Sequence, residues 1–107
     1  MKHMKVTELQ SLLQSGAKPL LIDVRESHEL INGVIEGAIS VPMNTIPERL
    51  DEFSDYKEQP VVLICRSGKR SVQVGLFMEQ AGFTDIINLE GGMNEWASQI
   101  DNSMTVY

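Results

Sequence analysis

Val61-Val62-Leu63-Ile64-Cys65-Arg66-Ser67-Gly68-Lys69-Arg70-Ser71 is the most informative run of residues in the chain. Its first four residues are apolar and three are β-branched, with no polar alternation, as a strand covered on both faces requires. Cys65 closes that strand. A helix is predicted from Ser71 to Gln80, where Val72, Val74, Leu76, Phe77 and Met78, with Ala81, give a broad apolar surface. Gly82 ends it. A buried strand, a glycine-containing polar turn and an amphipathic helix form the repeating unit of an open parallel α/β sheet.

The same pattern extends to both sides. A short strand is expected near Met4-Lys5-Val6. Thr7 and Gln10 then read as a capping box opening a helix to about Gln14, with Gly16 as its stop. Leu20 to Val24 reads as a second buried strand. Ser27 is placed to cap a helical turn through Leu30, ended near Gly33. Ala38 to Val41 is a further short strand. Thr45 and Glu48 form a second capping box, with Pro47 in the first turn of a helix to about Phe53. Ile86 to Leu89 is the last strand, Gly91-Gly92 a turn, and Met93 to Ile100 the final helix. Asp101 to Tyr107 has no periodicity and is expected to be a loose tail.

The 107 residues amount to one domain, with a core over about residues 4–100. The composition is 42% hydrophobic and 22% charged, ordinary for a globular protein, and no apolar run approaches a membrane span. With 15 acidic and nine basic residues the net charge is −6, a poor basis for nucleic-acid binding. Cys65 is the sole cysteine, which excludes an intrachain disulfide, and His3 and His28 alone are thin support for a metal site. No apolar segment follows the basic residues at the start, so the expected location is the cytoplasm. No cofactor is implied.

In parallel sheets, ligands gather beyond the carboxyl ends of the strands. Asp23, the segment from Cys65 to Arg70 and the Gly91-Gly92 turn all fall there. Arg66, Lys69 and Arg70 place three of the nine basic residues in one turn, a positive spot suited to a small anionic substrate. Gly68 lets the backbone curl so that successive N–H groups face inward, and the following helix adds the positive end of its dipole. These features favour thiolate at Cys65, and the thiolate is the nucleophile. The alternative is an ordinary buried cysteine at a strand end.

At this turn the chain resembles the single-domain rhodaneses, the thiosulfate sulfurtransferase family. Ile22-Asp23-Val24-Arg25-Glu26 resembles the family's D-V-R-E segment, and Glu29 to Ala38 its E-x-x-x-G-H-I-x-G-A segment. Cys65 to Ser71 is similar to the C-R-S-G-x-R-S active loop, and Leu89 to Trp96 to the terminal L-x-G-G-x-x-x-W. The resemblance implies a three-layer α/β/α domain around a five-stranded, mostly parallel sheet. It also implies a persulfide on Cys65, with Arg66, Ser67, Gly68, Lys69, Arg70 and Ser71 holding the substrate. Val34 stands where the family carries histidine, which implies altered local hydrogen bonding rather than lost activity.

On that reading Cys65 takes sulfane sulfur from thiosulfate or a similar donor and passes it to cyanide or a thiol. With no second cysteine, release falls to an external nucleophile, which includes a sulfur-relay partner protein. A non-catalytic interaction module is a competing reading, opposed by the presence of Cys65 and the full loop. A cysteine phosphatase is another. Its loop is C-x5-R, whereas Cys65 to Arg70 is C-x4-R and makes a tighter cradle. Asp23 is expected to anchor the loop or Arg25 from behind the site, and Arg25 and Glu29 to form a local pair. Trp96 is expected in the core or cleft wall, and His28 to be exposed and idle.

Overall fold

The computed structural model describes residues 1–107 and contains five strands: β1 (Lys2–Met4), β2 (Leu20–Asp23), β3 (Ile39–Ser40), β4 (Val61–Ile64) and β5 (Ile86–Leu89). They form one sheet in the order β1-β5-β4-β2-β3, and every pairing is parallel. The helices are α1 (Val6–Gln14), α2 (Ile46–Arg49), α3 (Arg70–Gln80) and α4 (Gly92–Gln99).

Alternation along β4 distributes its side chains to two cores. Val61, Leu63 and Cys65 join Val74 and Met78 of α3 and Ile46 of α2 on one face. Val62 and Ile64 join Val6 and Leu9 of α1 and Met93 and Trp96 of α4 on the other. Both faces of the central strands are therefore covered, which is why β4 and most of β2 and β5 read as apolar runs. Trp96 is a core residue.

Several expectations at element ends are corrected. β1 lies two residues earlier than read, because Val6 belongs to α1. Val6 and Leu9, three apart on the helix, both bury against the sheet. The cap follows suit: the Lys5 N–H donates to Glu8 Oε1 at 3.1 Å, and Thr7 and Gln10 form no capping box. Ser27 is likewise not the cap of its turn. Glu26 is, and Ser27–Asn32 is a 3₁₀ helix. The Thr45–Glu48 box is also absent, since Thr45 Oγ1 donates back to the Pro42 carbonyl at 2.8 Å. Only Ile46–Arg49 is α-helical there, between 3₁₀ turns at Met43–Thr45 and Leu50–Tyr56. The apolar surface of α3 is narrower than expected, as Leu76 and Phe77 face solvent.

The tail is not loose. Thr105 N–H donates to the Asn32 carbonyl at 2.9 Å, and Tyr107 N–H to Asn94 Oδ1 at 3.0 Å. These bonds bring Tyr107 back over the carboxyl end of the sheet.

Candidate active site

Cys65 follows β4 directly and continues its alternation, so its side chain turns beneath the N-terminus of α3, 1% exposed. The loop after it is shaped by α4. Met93 N–H donates to the Cys65 carbonyl at 2.8 Å, and Asn94 N–H to the Arg66 carbonyl at 3.0 Å. In a trans peptide the N–H points opposite to its C=O. Fixing these two carbonyls on α4 therefore aims the N–H groups of Arg66 and Ser67 the other way, into the loop. Gly68 completes the curl at φ +94°, a left-handed conformation that glycine adopts without strain. Its N–H donates to Cys65 Sγ at 3.0 Å.

Ser71, fully buried in the first turn of α3, places its Oγ 3.4 Å from Sγ. Burial pushes the Cys65 thiol up, but the Ser71 hydroxyl, when its proton turns to sulfur, and the N–H groups of Ser71, Gly68 and Ser67 outweigh it, and the net direction is down. The direction of the shift is the one expected from the sequence. Its main source is dipoles rather than cations.

The three loop cations are disposed differently from one another. Arg70 donates through Nη1 and Nη2 to the two carboxylate oxygens of Glu29 at 2.7 and 2.8 Å. It acts on Cys65 through space with those donors committed. Arg66 is exposed and lies over the Tyr107 ring, 4.8 Å from its centroid. Lys69 is exposed at the cap of α3. Arg66 and Lys69 keep their charges free of carboxylates.

Behind the loop, Arg25 is fully buried. Its Nε and Nη2 donate to the Asp23 carboxylate, the latter at 2.8 Å, and Nη2 also to the Gly33 carbonyl at 2.8 Å. Arg25 Nη1 donates to Tyr107 Oη at 3.2 Å, and Tyr107 Oη donates to Glu29 Oε2 at 2.6 Å. The Glu29 carboxylate therefore pairs with Arg70, while Arg25 Nη1 reaches only the Glu29 backbone carbonyl, at 3.5 Å. The local pair expected from sequence spacing is corrected, because Arg25 lies outside the 3₁₀ turn that carries Glu29.

The rhodanese-like domain family matches residues 5–99. The chain belongs to this family. As a rhodanese-like domain it has relatives named as sulfurtransferases. A sulfurtransferase of Allochromatium vinosum is 41% identical over 78 residues, 73% of this chain and 71% of that one. The rhodanese-like domain protein of Staphylococcus aureus superposes with a TM-score of 0.84 at 33% identity, covering 100% of this chain and 99% of that one. The human single-domain sulfurtransferase TSTD1 gives 0.78 at 28% identity, covering 92% and 97%.

Within this rhodanese-like domain, sequence reasoning missed Glu29 as the partner of Arg70, and missed Tyr107 and Asn88 altogether. Asn88 carried a signal, being polar in the middle of an apolar strand. Tyr107 carried none, since its contacts come from distant segments. Val34 is half-exposed and His28 is exposed.

Glu29 makes acid stability testable. Arg70 holds its carboxyl at about 2, down from 4.5, with Tyr107 and the Glu26 N–H assisting against burial. A carboxyl depressed on folding contributes stability that is full above its unfolded value and is lost as pH falls through the folded one. Denaturant midpoints measured between about pH 5 and pH 2 should fall in the native protein. Glu29→Gln should start lower and lose less over that interval; an unchanged slope would show that the Glu29–Arg70 pair does not set it.

Proposed function

We propose that this rhodanese-like domain moves sulfane sulfur from a small anionic donor, such as thiosulfate, to cyanide or a thiol through a persulfide on Cys65. One observation carries the proposal: Sγ sits inside a turn whose amides face it, with the Gly68 N–H at 3.0 Å. Such a ring stabilises a thiolate, and the outer sulfur of a persulfide anion has the same charge and a similar need for donors.

In the first half-reaction the Cys65 thiolate attacks the outer sulfur of thiosulfate. The new S–S bond forms as the old one breaks, and sulfite leaves with the bonding pair. Arg66 and Lys69 draw in the dianion, and the amides of Arg66 to Arg70 receive the terminal sulfur. In the second, cyanide or a thiolate attacks that sulfur and Cys65 leaves as thiolate. The reaction needs no cofactor.

Asp23 and Arg25 support the loop from behind through Glu29, Tyr107 and the Gly33 carbonyl. Because Cys65 is the sole cysteine, the acceptor comes from outside the chain. A thiol on a sulfur-relay partner would serve as well as a small molecule. The test is the loading of Cys65 by thiosulfate and its unloading by cyanide, with Cys65→Ser inert in both steps.

A further inference from the structure

Asn88 is polar in a strand whose other residues are Ile86, Ile87 and Leu89, and it is 3% exposed. Alternation along β5 turns it, like Ile86, to the α3 face, and the parallel register sets it opposite His3 of β1. Its amide joins two groups. Ser71 Oγ donates to Asn88 Oδ1, and Asn88 Nδ2 lies 3.2 Å from His3 Nδ1. With Ser71 Oγ at 3.4 Å from Cys65 Sγ, an unbroken line of polar atoms runs from the buried nucleophile to an exposed imidazole. The sulfur-transfer steps use neither Asn88 nor His3.

The direction of that line is constrained, because a serine hydroxyl has one proton to donate. While Ser71 donates to Asn88 Oδ1 it can only accept from Cys65, so Sγ must be the donor and therefore a thiol. Asn88 Nδ2 then donates to an unprotonated His3 Nδ1. A thiolate has no proton to give and takes the Ser71 proton instead. A half-turn of the Asn88 amide satisfies the rest: Nδ2 donates to Ser71 Oγ, and Oδ1 turns to His3. For Oδ1 to be satisfied there, His3 Nδ1 must carry a proton.

We propose that Asn88 and His3 are positioning residues that set the polarity of this line, coupling a proton on His3 Nδ1 to the thiolate at Cys65. Cys65 loses its proton to solvent, Nδ1 takes one from solvent as the ring becomes imidazolium, and no heavy-atom bond changes. By linkage the coupling is readable from either end. The charged groups on the packed elements are Lys69 at the cap of α3, Arg70 and Glu79 of α3, the Met1 ammonium paired with Glu79 at 2.8 Å, and Lys2 paired with Asp85 at 3.0 Å. His3 joins none of these ion pairs. Arg70 acts on Cys65 through space, so the test must separate a bonded line from plain attraction.

The inference rests on Cys65 working as a thiolate but on no particular sulfur donor. Iodoacetamide alkylation against pH first locates the range in which Cys65 is ionised; a thiol that persists throughout would defeat the thiolate reading itself. In that range the ring C–H resonances of His3 and His28 are titrated by NMR in the full chain. Wild type should hold the His3 proton about fivefold more tightly than Cys65→Ser, the lower end for coupled sites, with His28 unmoved. Asn88→Leu cuts the line but keeps the thiolate, so the difference that Cys65→Ser makes to His3 should collapse in that background. Ser71→Ala cuts it elsewhere with less risk to folding and, titrated in the range where iodoacetamide shows that variant's own Cys65 to be ionised, should give the same collapse. No difference in wild type, or a difference that survives both cuts, would overturn the proposal.

Discussion

Arg25→Ala is expected to cost about 3–5 kcal/mol of stability, the range for breaking a buried ion pair by removing one partner. The Arg25 side chain is 0% exposed and that of Asp23 is 3% exposed. Truncation strands the Asp23 carboxylate away from water. It also removes the donors to the Gly33 carbonyl and to Tyr107 Oη. A domain of this size has only about 5–15 kcal/mol in total, so the variant should be near unfolding at ordinary temperature. Arg25→Lys should rescue little, since one ammonium cannot reproduce a planar fork that serves four partners. The exposed Arg49–Glu52 pair is the control: Arg49→Ala should barely move the urea midpoint. A small loss for Arg25→Ala would mean that water reaches Asp23.

Gly92→Ala should also be severe, on activity more than on folding. A Cβ there would lie 2.3 Å from the Cys65 carbonyl oxygen and 2.7 Å from the Arg66 carbonyl carbon and oxygen. These are backbone atoms on the very peptides whose orientation aims the loop's amides, so the loop must move. A displacement near 1 Å at a catalytic group costs about 10²-fold in rate. The left-handed φ of +55° adds strain of about 1–3 kcal/mol. Gly16→Ala separates the two causes, because Gly16 has φ +89° but nothing within 4 Å of an added Cβ. It should lose some stability and keep its rate of Cys65 alkylation, whereas Gly92→Ala should lose the rate while still folded by circular dichroism. Equal rates in the two variants would show that α4 does not shape the loop.

The central strands were legible because burial on both faces leaves little room for polar residues, and runs such as Val61 to Ile64 have few other uses. Cys65 was legible for a related reason: a cysteine followed by a glycine-containing basic turn stands out at the end of such a run. Element ends were less so. Val6 reads equally well as the end of a strand or the start of a helix, and only the sheet-side packing of Val6 with Leu9 decides it.

Spacing misleads at the cation network. Residues at i and i+4 pair on a continuous α-helix, but Arg25 precedes a 3₁₀ turn and points to Asp23. That frees Glu29 to meet Arg70, 41 positions away. Tyr107 could not be found at all, because no local pattern says that an aperiodic segment folds back to stack on Arg66 and bridge Arg25 to Glu29. Asn88 was findable in principle: a lone amide inside an apolar strand needs a partner for each end, and such a residue points to the site it serves.

A thiol ringed by inward-facing amides should hold a transferable sulfur atom, and the mass of the intact chain reads that atom without an acceptor assay in between. The whole chain is weighed after exposure to thiosulfate and again after cyanide. The expected result is a gain of one sulfur atom, its loss on adding cyanide, and no gain in Cys65→Ser. A chain that stays unloaded by thiosulfate and by other sulfane donors, while Cys65 remains open to alkylation, would contradict the persulfide mechanism.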